Sequence, residues 1–430
     1  MATFYPTLAI KAYRRCPPDC RACEAACAEK MRPLGPAILA SRVHEAGVSK
    51  NVTCFQCGEP ECIKACPADA IVKSEEDGVV RVIQDNCIGC EQCVTACPYG
   101  NMYYSTEAGV AFKCDLCGGE PKCVDACKHK VLSFVKTRPI FDSLRHKDLL
   151  SRGTTLCMGC PTELALRIML RVFGENTILI GCASCAVTIF KECSVPASCQ
   201  LFTNVAPVTE GIKTYYRRQG REVEVVAFVG DGATADAGFQ SLSGVAVRGE
   251  KVVYICYDNE AYMNTGIQQS STTPYGAWTF TTPVGKRQKG NTQTSKYMPL
   301  LMAFHGIPYA ATATVSYLED YVQKLTKAKE LKKGMAYIHL LSPCPVGWRA
   351  PVDSAIEMSR MAVETNYFPL WECANGKFRL TYRVENRKPI PEFTRLMGRF
   401  SHLKEEELQE LQKMVDNRFA LIQGLCKLSE

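Results

Sequence analysis

The chain has 430 residues, of which 47% are hydrophobic and 22% charged, and its formal net charge is +7. This length allows more than one domain, and 26 cysteines are far more than an ordinary globular enzyme contains. No apolar segment near the start resembles a signal peptide, and no run of about 20 apolar residues could span a membrane, so we expect a soluble, cytoplasmic protein. A disulfide framework, which belongs to small secreted chains, is not expected.

Sixteen of the cysteines fall into four sets of four. The sets are Cys16, Cys20, Cys23 and Cys27; Cys54, Cys57, Cys62 and Cys66; Cys87, Cys90, Cys93 and Cys97; and Cys114, Cys117, Cys123 and Cys127. The third set, followed by Pro98, has the C-x2-C-x2-C-x3-C-P spacing of bacterial ferredoxins. Thiolates suit iron-sulfur clusters, and in two-cluster ferredoxins the fourth cysteine of each set ligates the other cluster. Two crossed pairs of sets would therefore hold four [4Fe-4S] clusters.

Structural zinc is the main alternative for these thiols. Zinc sites use two C-x2-C pairs separated by a longer spacer. Here a third thiol follows the first pair after two to five residues, and a fourth follows after three more. The spacing therefore favours iron-sulfur clusters.

Short hairpins are predicted between the sets, over residues 71–82 with a turn at Asp77-Gly78 and over residues 102–113 with a turn near Gly109. The order of the sets, with Cys97-Pro98-Tyr99-Gly100 closing the third, resembles the four-cluster electron-transfer subunits of dimethyl sulfoxide reductase and formate hydrogenlyase. The resemblance covers residues 10–138 and implies a four-cluster, double-ferredoxin α+β domain, which we assign to residues 1–138. One departure is the gap of three residues between Cys16 and Cys20, where that family has two.

An α/β domain is predicted over residues 152–350, after a polar, basic linker at 139–151. Strands are expected at 177–180, 222–229, 251–257 and 336–341, and helices near 163–172, 235–247 and 317–332. The strand, helix and strand from 222 to 257 form a βαβ unit, which indicates a parallel sheet. Ligands bind such sheets at the carboxyl ends of the strands. Gly230-Asp231-Gly232 and Asp258-Asn259 both lie at such ends.

These two segments suit a magnesium diphosphate. Glycines let backbone N–H groups approach phosphate oxygens, Asp231 offers an anionic ligand on a side chain expected to be exposed, and Asn259 offers an amide oxygen. By itself a Gly-Asp-Gly turn is weak evidence, because such a turn often simply ends a strand.

The surrounding sequence is more specific. The segment from Tyr257 to Gly266, YDNEAYMNTG, followed by TPYGA at 273–277, closely resembles the thiamine diphosphate-binding β subunit of pyruvate:ferredoxin oxidoreductases and related 2-oxoacid oxidoreductases. The resemblance runs from residue 152 to 415. It implies that Mg²⁺ is held by Asp231, the Asn259 side chain and the Ala261 carbonyl. The further cofactor-binding residues that it implies are Gly230, Gly232, Ala233, Asn264 and Thr265, with Asn264 facing the thiazolium and substrate as the catalytic side chain. The alternative for Thr265 is that its hydroxyl simply satisfies the turn.

The same family holds a cluster beside the cofactor. Its ligands in this chain are implied to be Cys157, Cys160, Cys182 and Cys344. Cys185 is a rival for the third position, and Cys182 is preferred because a glycine precedes it, as in the family. Each oxidised cluster with its four thiolates adds about 2−, so five clusters would change the net charge from +7 to about 3−. The apparent basicity is therefore no argument for nucleic-acid binding.

Partner subunits are implied because the aminopyrimidine-activating half of a thiamine site is missing. The resemblance implies an α subunit that supplies this half-site, a γ subunit, coenzyme A, and ferredoxin or an NAD(P)-reducing flavoprotein subunit as acceptor. Residues 351–430 are predicted to be a docking extension, with an amphipathic helix at 402–422.

The implied function is oxidative decarboxylation of a 2-oxoacid to an acyl-CoA and CO₂. Pyruvate is the commonest substrate of the family, and an aryl 2-oxoacid such as phenylglyoxylate is its rival. The alternative is a non-catalytic iron-sulfur subunit for electron transfer and docking, which bound thiamine diphosphate would exclude. A non-redox thiamine decarboxylase would leave twenty cysteines unexplained.

Overall fold

The computed structural model describes residues 5–10, 16–17, 19–39, 53–54, 56–57, 60–74, 77–98, 100–129, 131–137, 148–151, 153–384 and 386–429. The chain divides into two compact units, Met1–Ser143 and Leu144–Glu430. The division falls within the segment 139–151, where the sequence predicts a linker, and most of that segment lies outside the described residues. Within the described ranges, no helix is both long enough and apolar enough to cross a bilayer.

In its described residues, the first unit contains three two-stranded antiparallel sheets. Its strands are β1 (Tyr5–Ile10), β2 (Ile71–Lys73), β3 (Val80–Val82), β4 (Tyr103–Ser105), β5 (Val110–Phe112) and β6 (Leu132–Thr137). The pairs β2–β3 and β4–β5 confirm the two predicted hairpins. Gly78 and Gly109 have φ values of +67° and +68° in the turns, which glycine adopts without steric cost. The pairing of β1 with β6 joins the two ends of the unit.

Short helices carry many of the cysteines of this unit. They are the α-helices Ala22–Lys30, Glu61–Lys64, Gln92–Ala96 and Lys122–Asp125 and the 3-10 helices Gln84–Asn86 and Leu116–Gly119. Two small apolar cores form around the thiols. One includes cysteines of the first and fourth sets with Leu34 and Leu116, and the other includes cysteines of the second and third sets with Ile71 and Met102. The sets thus combine into two modules, each with its own core.

The second unit is built on an eight-stranded sheet. Its strands are β7 (Thr177–Cys182), β8 (Ala197–Gln200), β9 (Glu224–Gly230), β10 (Val252–Asp258), β11 (Tyr309–Thr314), β12 (Met335–Leu341), β13 (Trp371–Ala374) and β14 (Lys377–Leu380). Their order is β14-β13-β11-β12-β10-β9-β7-β8, and all neighbours pair in parallel except β13, which is antiparallel to both β11 and β14. This confirms the predicted parallel sheet. The carboxyl ends of β7, β9, β10 and β12 lie side by side, which places the Gly-Asp-Gly turn next to Asp258-Asn259.

Helices connect the strands of this sheet. They are Pro161–Phe173, Val187–Phe190, Val205–Arg218, Phe239–Arg248, Met298–Phe304, Leu318–Glu330, Pro345–Trp348, Ala355–Glu364, Pro391–Thr394 and Glu405–Lys427, with 3-10 helices at Phe202–Asn204 and Gly398–Phe400. One large core joins the central strands to helix Phe239–Arg248, and another packs Trp348 and Phe393 with helix Ala355–Glu364. The strands and helices predicted from the sequence therefore appear, with ends that differ by a few residues.

The helix predicted at 235–247 begins differently. Residues Gly232–Ala237 wind as a π-helix before the α-helix Phe239–Arg248 begins. The Gly238 N–H donates to the Ala233 carbonyl at 2.9 Å, five residues back. A Cβ on Gly238 would lie 2.3 Å from that carbonyl oxygen, so only glycine permits this wide turn. Such π segments are frequent at functional sites.

The helix predicted at 402–422 spans Glu405–Lys427. Its apolar residues Leu411, Val415 and Ile422 are at most 3% exposed and pack into the two cores of the unit. The chain itself thus covers this apolar face of the helix, and the docking role of residues 351–430 stays a prediction.

Candidate active site

Four groups of neighbouring thiols form in the first unit. The groups are Cys16, Cys20 and Cys23 with Cys127; Cys114, Cys117 and Cys123 with Cys27; Cys54, Cys57 and Cys62 with Cys97; and Cys87, Cys90 and Cys93 with Cys66. Each group takes its fourth thiol from another set, so the predicted crossing is observed, with the first set paired to the fourth and the second to the third. Burial raises the pKa of Cys62 to about 11, and its neighbours Cys54, Cys57 and Cys97 add to this. Binding iron therefore has to displace protons from these thiols.

Each of the four thiols that join a group from another set accepts a hydrogen bond from a backbone N–H. Cys66, Cys97 and Cys127 each accept a backbone N–H from the residue four positions on, at 3.3, 3.4 and 3.2 Å. Cys27 accepts the N–H of Ala37 at 3.3 Å. Such donors stabilise negative charge on sulfur and tune cluster potentials. Two of the groups line cavities, of about 390 Å³ at Cys54, Cys57, Cys62 and Cys97 and about 320 Å³ at Cys66, Cys87, Cys90 and Cys93. The donor sets therefore fit iron-sulfur clusters.

A fifth group of thiols lies in the second unit. It contains Cys185, where the sequence favoured Cys182. Burial raises the pKa of Cys185 to about 12, with contributions from three neighbouring thiols, those of Cys344, Cys160 and Cys157. The thiol of Cys182 has Cys199 and Asp231 as its charged neighbours instead. This geometry contradicts the choice of Cys182 and brings Cys185 to the other three.

The position at which β7 ends explains why Cys185, and not Cys182, lies with the other three thiols. Cys182 is still part of β7 and is completely buried in the core of the sheet. The chain turns only afterwards, where the Tyr257 hydroxyl donates to Ser184 Oγ at 2.6 Å and accepts the Ala186 N–H at 3.2 Å. This turn carries Cys185 out of the sheet and towards Cys344.

A close backbone contact shapes the loop Cys157-Met158-Gly159-Cys160. Gly159 has a φ of +74°, and a Cβ there would lie 1.6 Å from the Val352 carbonyl oxygen. Next to it, the Thr162 and Ser342 hydroxyls are 2.7 Å apart and join this loop to the segment before Cys344. Among the described residues, no three His, Cys, Asp or Glu side chains are placed to hold a single metal ion.

We expect Cys185→Ala to lose one cluster and Cys182→Ala to lose none. If the chain holds five clusters, iron should fall from about 20 to about 16 atoms per chain in the first variant, because one thiolate of the fifth group is gone. Iron analysis and low-temperature EPR on anaerobically purified protein make the measurement, with Cys182→Ala as the matched control. Loss of iron in Cys182→Ala alone would return the ligand role to Cys182.

All eight predicted cofactor residues line one cavity of about 380 Å³. They are Gly230, Asp231, Gly232, Ala233, Asn259, Ala261, Asn264 and Thr265. Asn264 and Thr265 are exposed at its rim, whereas Asp231 is only 2% exposed, which corrects the expectation of an exposed carboxylate. The Thr265 hydroxyl donates to Gln268 Oε1 at 2.6 Å within its own turn. The cavity is also lined by Cys185 of the fifth thiol group.

Three oxygen-bearing groups converge inside this cavity. The side-chain amide of Asn259 lies 2.8 Å from the Ala261 carbonyl oxygen and 3.1 Å from Asp231 Oδ1. Oxygen ligands of Mg²⁺ stand about 2.1 Å from the metal at right angles, and therefore about 3 Å apart. The two distances from Asn259 thus match the spacing of neighbouring ligands around Mg²⁺. In the structure the amide oxygen of Asn259 faces both of these oxygens, and a cation bound among the three would satisfy that arrangement; only the rotated amide would donate its nitrogen to them instead.

Asp231 is held by hydroxyl groups. Ser270 and Thr272 donate to its Oδ2 at 2.5 and 3.1 Å. Burial raises the pKa of Asp231 well above its ordinary value, and the nearby carboxylate of Asp258 adds to this. A cation bound here would offset both effects, since it supplies the positive charge that the site lacks.

Comparison with known proteins defines the family. A model of the C-terminal thiamine pyrophosphate-binding domain of thiamine pyrophosphate enzymes matches residues 180–340, and a model of a 4Fe-4S dicluster domain matches residues 47–137. The β subunit of NADH-dependent phenylglyoxylate dehydrogenase from Aromatoleum evansii is 41% identical over 372 residues, which are 84% of this chain and 83% of that protein. The chain is a 2-oxoacid oxidoreductase β subunit.

Other members of this family match mainly the second unit. The PorB subunit of pyruvate synthase from Methanothermobacter marburgensis is 46% identical over 277 residues, 63% of this chain and 96% of that protein. The VorB subunit of ketoisovalerate oxidoreductase from Pyrococcus furiosus is 43% identical over 289 residues, 64% of this chain and 93% of that protein. The predicted family, the α/β thiamine diphosphate fold and the ferredoxin-type domain are thereby confirmed, and the β subunit uses thiamine diphosphate and iron-sulfur clusters within a multi-subunit enzyme.

Behind the oxygen cluster, the β subunit buries an ion pair that the motif does not reveal. Glu260, between Asn259 and Ala261, has a φ of +64°. Its carboxylate accepts from Arg399 Nη2 at 2.5 Å and from the Tyr367 hydroxyl at 2.6 Å. The guanidinium of Arg399 lies over the Trp348 ring, 3.6 Å from its centre, and the Trp348 indole donates to the Asn259 carbonyl at 2.8 Å. The left-handed turn at Glu260 is thus fixed by residues more than 85 positions away.

His339 is a second residue that sequence reasoning left without a role in the site. Its Nε2 lies 2.8 Å from Asp258 Oδ2 and its Nδ1 lies 2.8 Å from the Tyr337 hydroxyl. It is 3% exposed, so it is a hydrogen-bonded residue of the core. A histidine within the apolar strand β12 is the signal that could have indicated a buried partner.

Proposed function

We propose that this β subunit carries the Mg²⁺ and thiamine diphosphate site and five [4Fe-4S] clusters of a complex that oxidises a 2-oxoacid to an acyl-CoA and CO₂. The observation that carries the proposal is the position of Cys185. It lines the cofactor cavity and also belongs to the fifth group of thiols. A cluster held by that group would lie directly beside the cofactor and could accept the two electrons of the oxidation one at a time.

Different residues of the cavity would hold Mg²⁺, face the substrate and leave room for the cofactor. Asp231, the Asn259 side chain and the Ala261 carbonyl would hold Mg²⁺, which in turn neutralises the diphosphate. When bound, thiamine diphosphate supplies the carbanion chemistry that splits CO₂ from a 2-oxoacid. Asn264, at the exposed rim of the cavity, would face the substrate. Gly232 has to be glycine, because a Cβ there would lie 2.3 Å from the Tyr262 ring that closes the cavity.

Partner subunits complete the enzyme in this proposal. An α subunit would supply the aminopyrimidine-activating half-site, a γ subunit would join the assembly, and coenzyme A would accept the acyl group. The four groups of thiols in the first unit would pass electrons to ferredoxin or to an NAD(P)-reducing flavoprotein subunit. The β subunit of phenylglyoxylate dehydrogenase, whose match extends into the first unit, is named NADH-dependent, which supports the NAD(P)-reducing flavoprotein subunit as acceptor.

The substrate is proposed to be pyruvate or an aryl 2-oxoacid. The relatives include subunits of enzymes named for phenylglyoxylate, pyruvate and ketoisovalerate. The test is dye reduction by the anaerobically purified complex with each of these three 2-oxoacids, with and without coenzyme A. We expect coenzyme A-dependent reduction with pyruvate or phenylglyoxylate.

Three outcomes would contradict the proposal in different ways. CO₂ release without dye reduction would indicate a non-redox decarboxylase. A complex that binds no thiamine diphosphate would indicate a subunit used only for electron transfer and docking. A strong preference for ketoisovalerate would leave the reaction in place and change the substrate.

A further inference from the structure

A buried cation lies among the thiols of the first unit. Lys113 is only 3% exposed, and it lines the same cavity as Cys54, Cys57, Cys62 and Cys97. Its ammonium donates to the Cys114 carbonyl at 2.9 Å, to Gln56 Oε1 at 3.3 Å and to the Val80 carbonyl. These three acceptors are neutral oxygens. Burying an ammonium without a negative partner is costly, so an anion close by is expected to balance its charge.

The thiols themselves supply the opposite charge. Lys113 lines one cavity with Cys54, Cys57, Cys62 and Cys97 of the second module, and its ammonium donates to the carbonyl of Cys114 in the first module at 2.9 Å. The positive charge of Lys113 therefore acts on one thiol group of each module.

Lys113 stands at the junction of these two groups. The Cys114 thiol has Cys54 and Cys27 as charged neighbours, so the group of Cys54 and the group of Cys114 adjoin each other. The buried Gln56 side chain spans the same junction, because it donates to the Cys114 carbonyl at 2.8 Å and accepts the Val80 N–H at 2.9 Å. Lys113 and Gln56 therefore contact each other between one thiol group of each module.

We propose that Lys113 is a redox-tuning residue that raises the reduction potential of the cluster held by Cys54, Cys57, Cys62 and Cys97. The inference rests on the iron-sulfur role proposed above for these thiols. Each cluster takes up one electron, which adds one negative charge, and a fixed positive charge in a low-dielectric interior stabilises the reduced form. The electron would then rest preferentially at the junction between the modules.

The test is a redox titration of the whole complex followed by EPR, comparing the natural protein with Lys113→Met. The signal of the cluster is assigned as the one lost in Cys57→Ala. We expect Lys113→Met to make its reduction at least tenfold less favourable, which is a fall of about 59 mV for one electron. The matched control is Lys64→Met on the helix that carries Cys62. Lys64 has 57% of its side chain exposed, so water screens its charge and the change should be less than threefold.

The outcomes separate tuning from a structural role. Lys113→Met with a full iron content and an unchanged potential would overturn the proposal. If that variant loses its clusters, Lys113→Gln provides the second measurement, because its amide carries no charge but can still donate to the carbonyls of Val80 and Cys114. A lower potential in Lys113→Gln supports the proposal and an unchanged one refutes it. Neither readout depends on turnover, so a failure of the proposed 2-oxoacid activity would be recognised separately.

Discussion

Asp231→Asn should abolish 2-oxoacid oxidation while leaving every cluster in place. The substitution preserves the volume of a side chain that is 2% exposed, yet it removes the anionic ligand from the oxygen cluster with Asn259 and Ala261. Mg²⁺ left with neutral ligands would bind the diphosphate poorly. We expect kcat/KM to fall by at least about a hundredfold, which corresponds to about 2.7 kcal/mol. Thiamine content, iron content and dye reduction are measured on one preparation.

Glu224→Gln is the control for this variant. Glu224 begins β9, the strand that ends at Gly230, and pairs with Lys251 at 3.0 Å away from the cavity. It should keep its cofactor and its activity. Stoichiometric thiamine diphosphate with near-normal turnover in Asp231→Asn would mean that the Gly-Asp-Gly turn merely ends a strand, and the proposed Mg²⁺ site would be lost.

Arg399→Met should have the largest effect on stability. Arg399 is 2% exposed, and its removal leaves the buried Glu260 carboxylate with only the Tyr367 hydroxyl. Breaking a buried ion pair in this way costs about 3–5 kcal/mol of unfolding free energy. All three tryptophans, Trp278, Trp348 and Trp371, belong to the second unit, so tryptophan fluorescence during denaturation reports on that unit.

Arg395→Met supplies the comparison, because Arg395 is 65% exposed and pairs with Glu392 at the surface. That variant should lose less than about 1 kcal/mol. Glu260→Gln combined with Arg399→Met should recover part of the loss, because no buried charge is left unpaired. Equal losses for Arg395→Met and Arg399→Met would show that the buried pair does not hold the loop.

The loss in Arg399→Met should also depend on pH. Burial raises the pKa of Glu260 above its ordinary value even though Arg399 lowers it, so without Arg399 the pKa should rise further. The folded variant then binds a proton that the unfolded chain has released, and its stability falls as pH rises above the unfolded pKa of about 4.5. We therefore expect the destabilisation to shrink as pH is lowered from 7 towards 5. A loss that does not change with pH would point to packing alone.

Cysteine spacing is local chemistry and was predictable. The first three thiols of each set lie within about ten residues, so they can reach a common centre with little help from the rest of the chain, and the sets could be identified without a fold. The sequence did not predict which two sets exchange their fourth thiols, because several pairings of the sets satisfy the same spacing. The pairing of β1 with β6 and the two separate cores bring the first set to the fourth and the second to the third.

The third ligand of the fifth group shows where a local cue fails. A glycine before Cys182 pointed to that residue, but β7 extends through Cys182 and buries it in the sheet. The end of a strand depends on its neighbours, and here Tyr257 of β10 fixes the turn that brings Cys185 to Cys344. The sequence contained both candidates without the information to separate them.

The sequence by itself determined the chemistry of this protein: the thiol sets, the Gly-Asp-Gly turn, and the Asn259 to Ala261 ligand segment. Each works through residues that are close along the chain or at the ends of neighbouring parallel strands, where short-range geometry suffices. Only the tertiary structure decided how charge is buried around these sites. Arg399 reaches Glu260 across 139 positions, His339 reaches Asp258 across 81, and Lys113 reaches Gln56 across 57. Such pairs depend on which surfaces the whole fold excludes from water, and no local spacing encodes that.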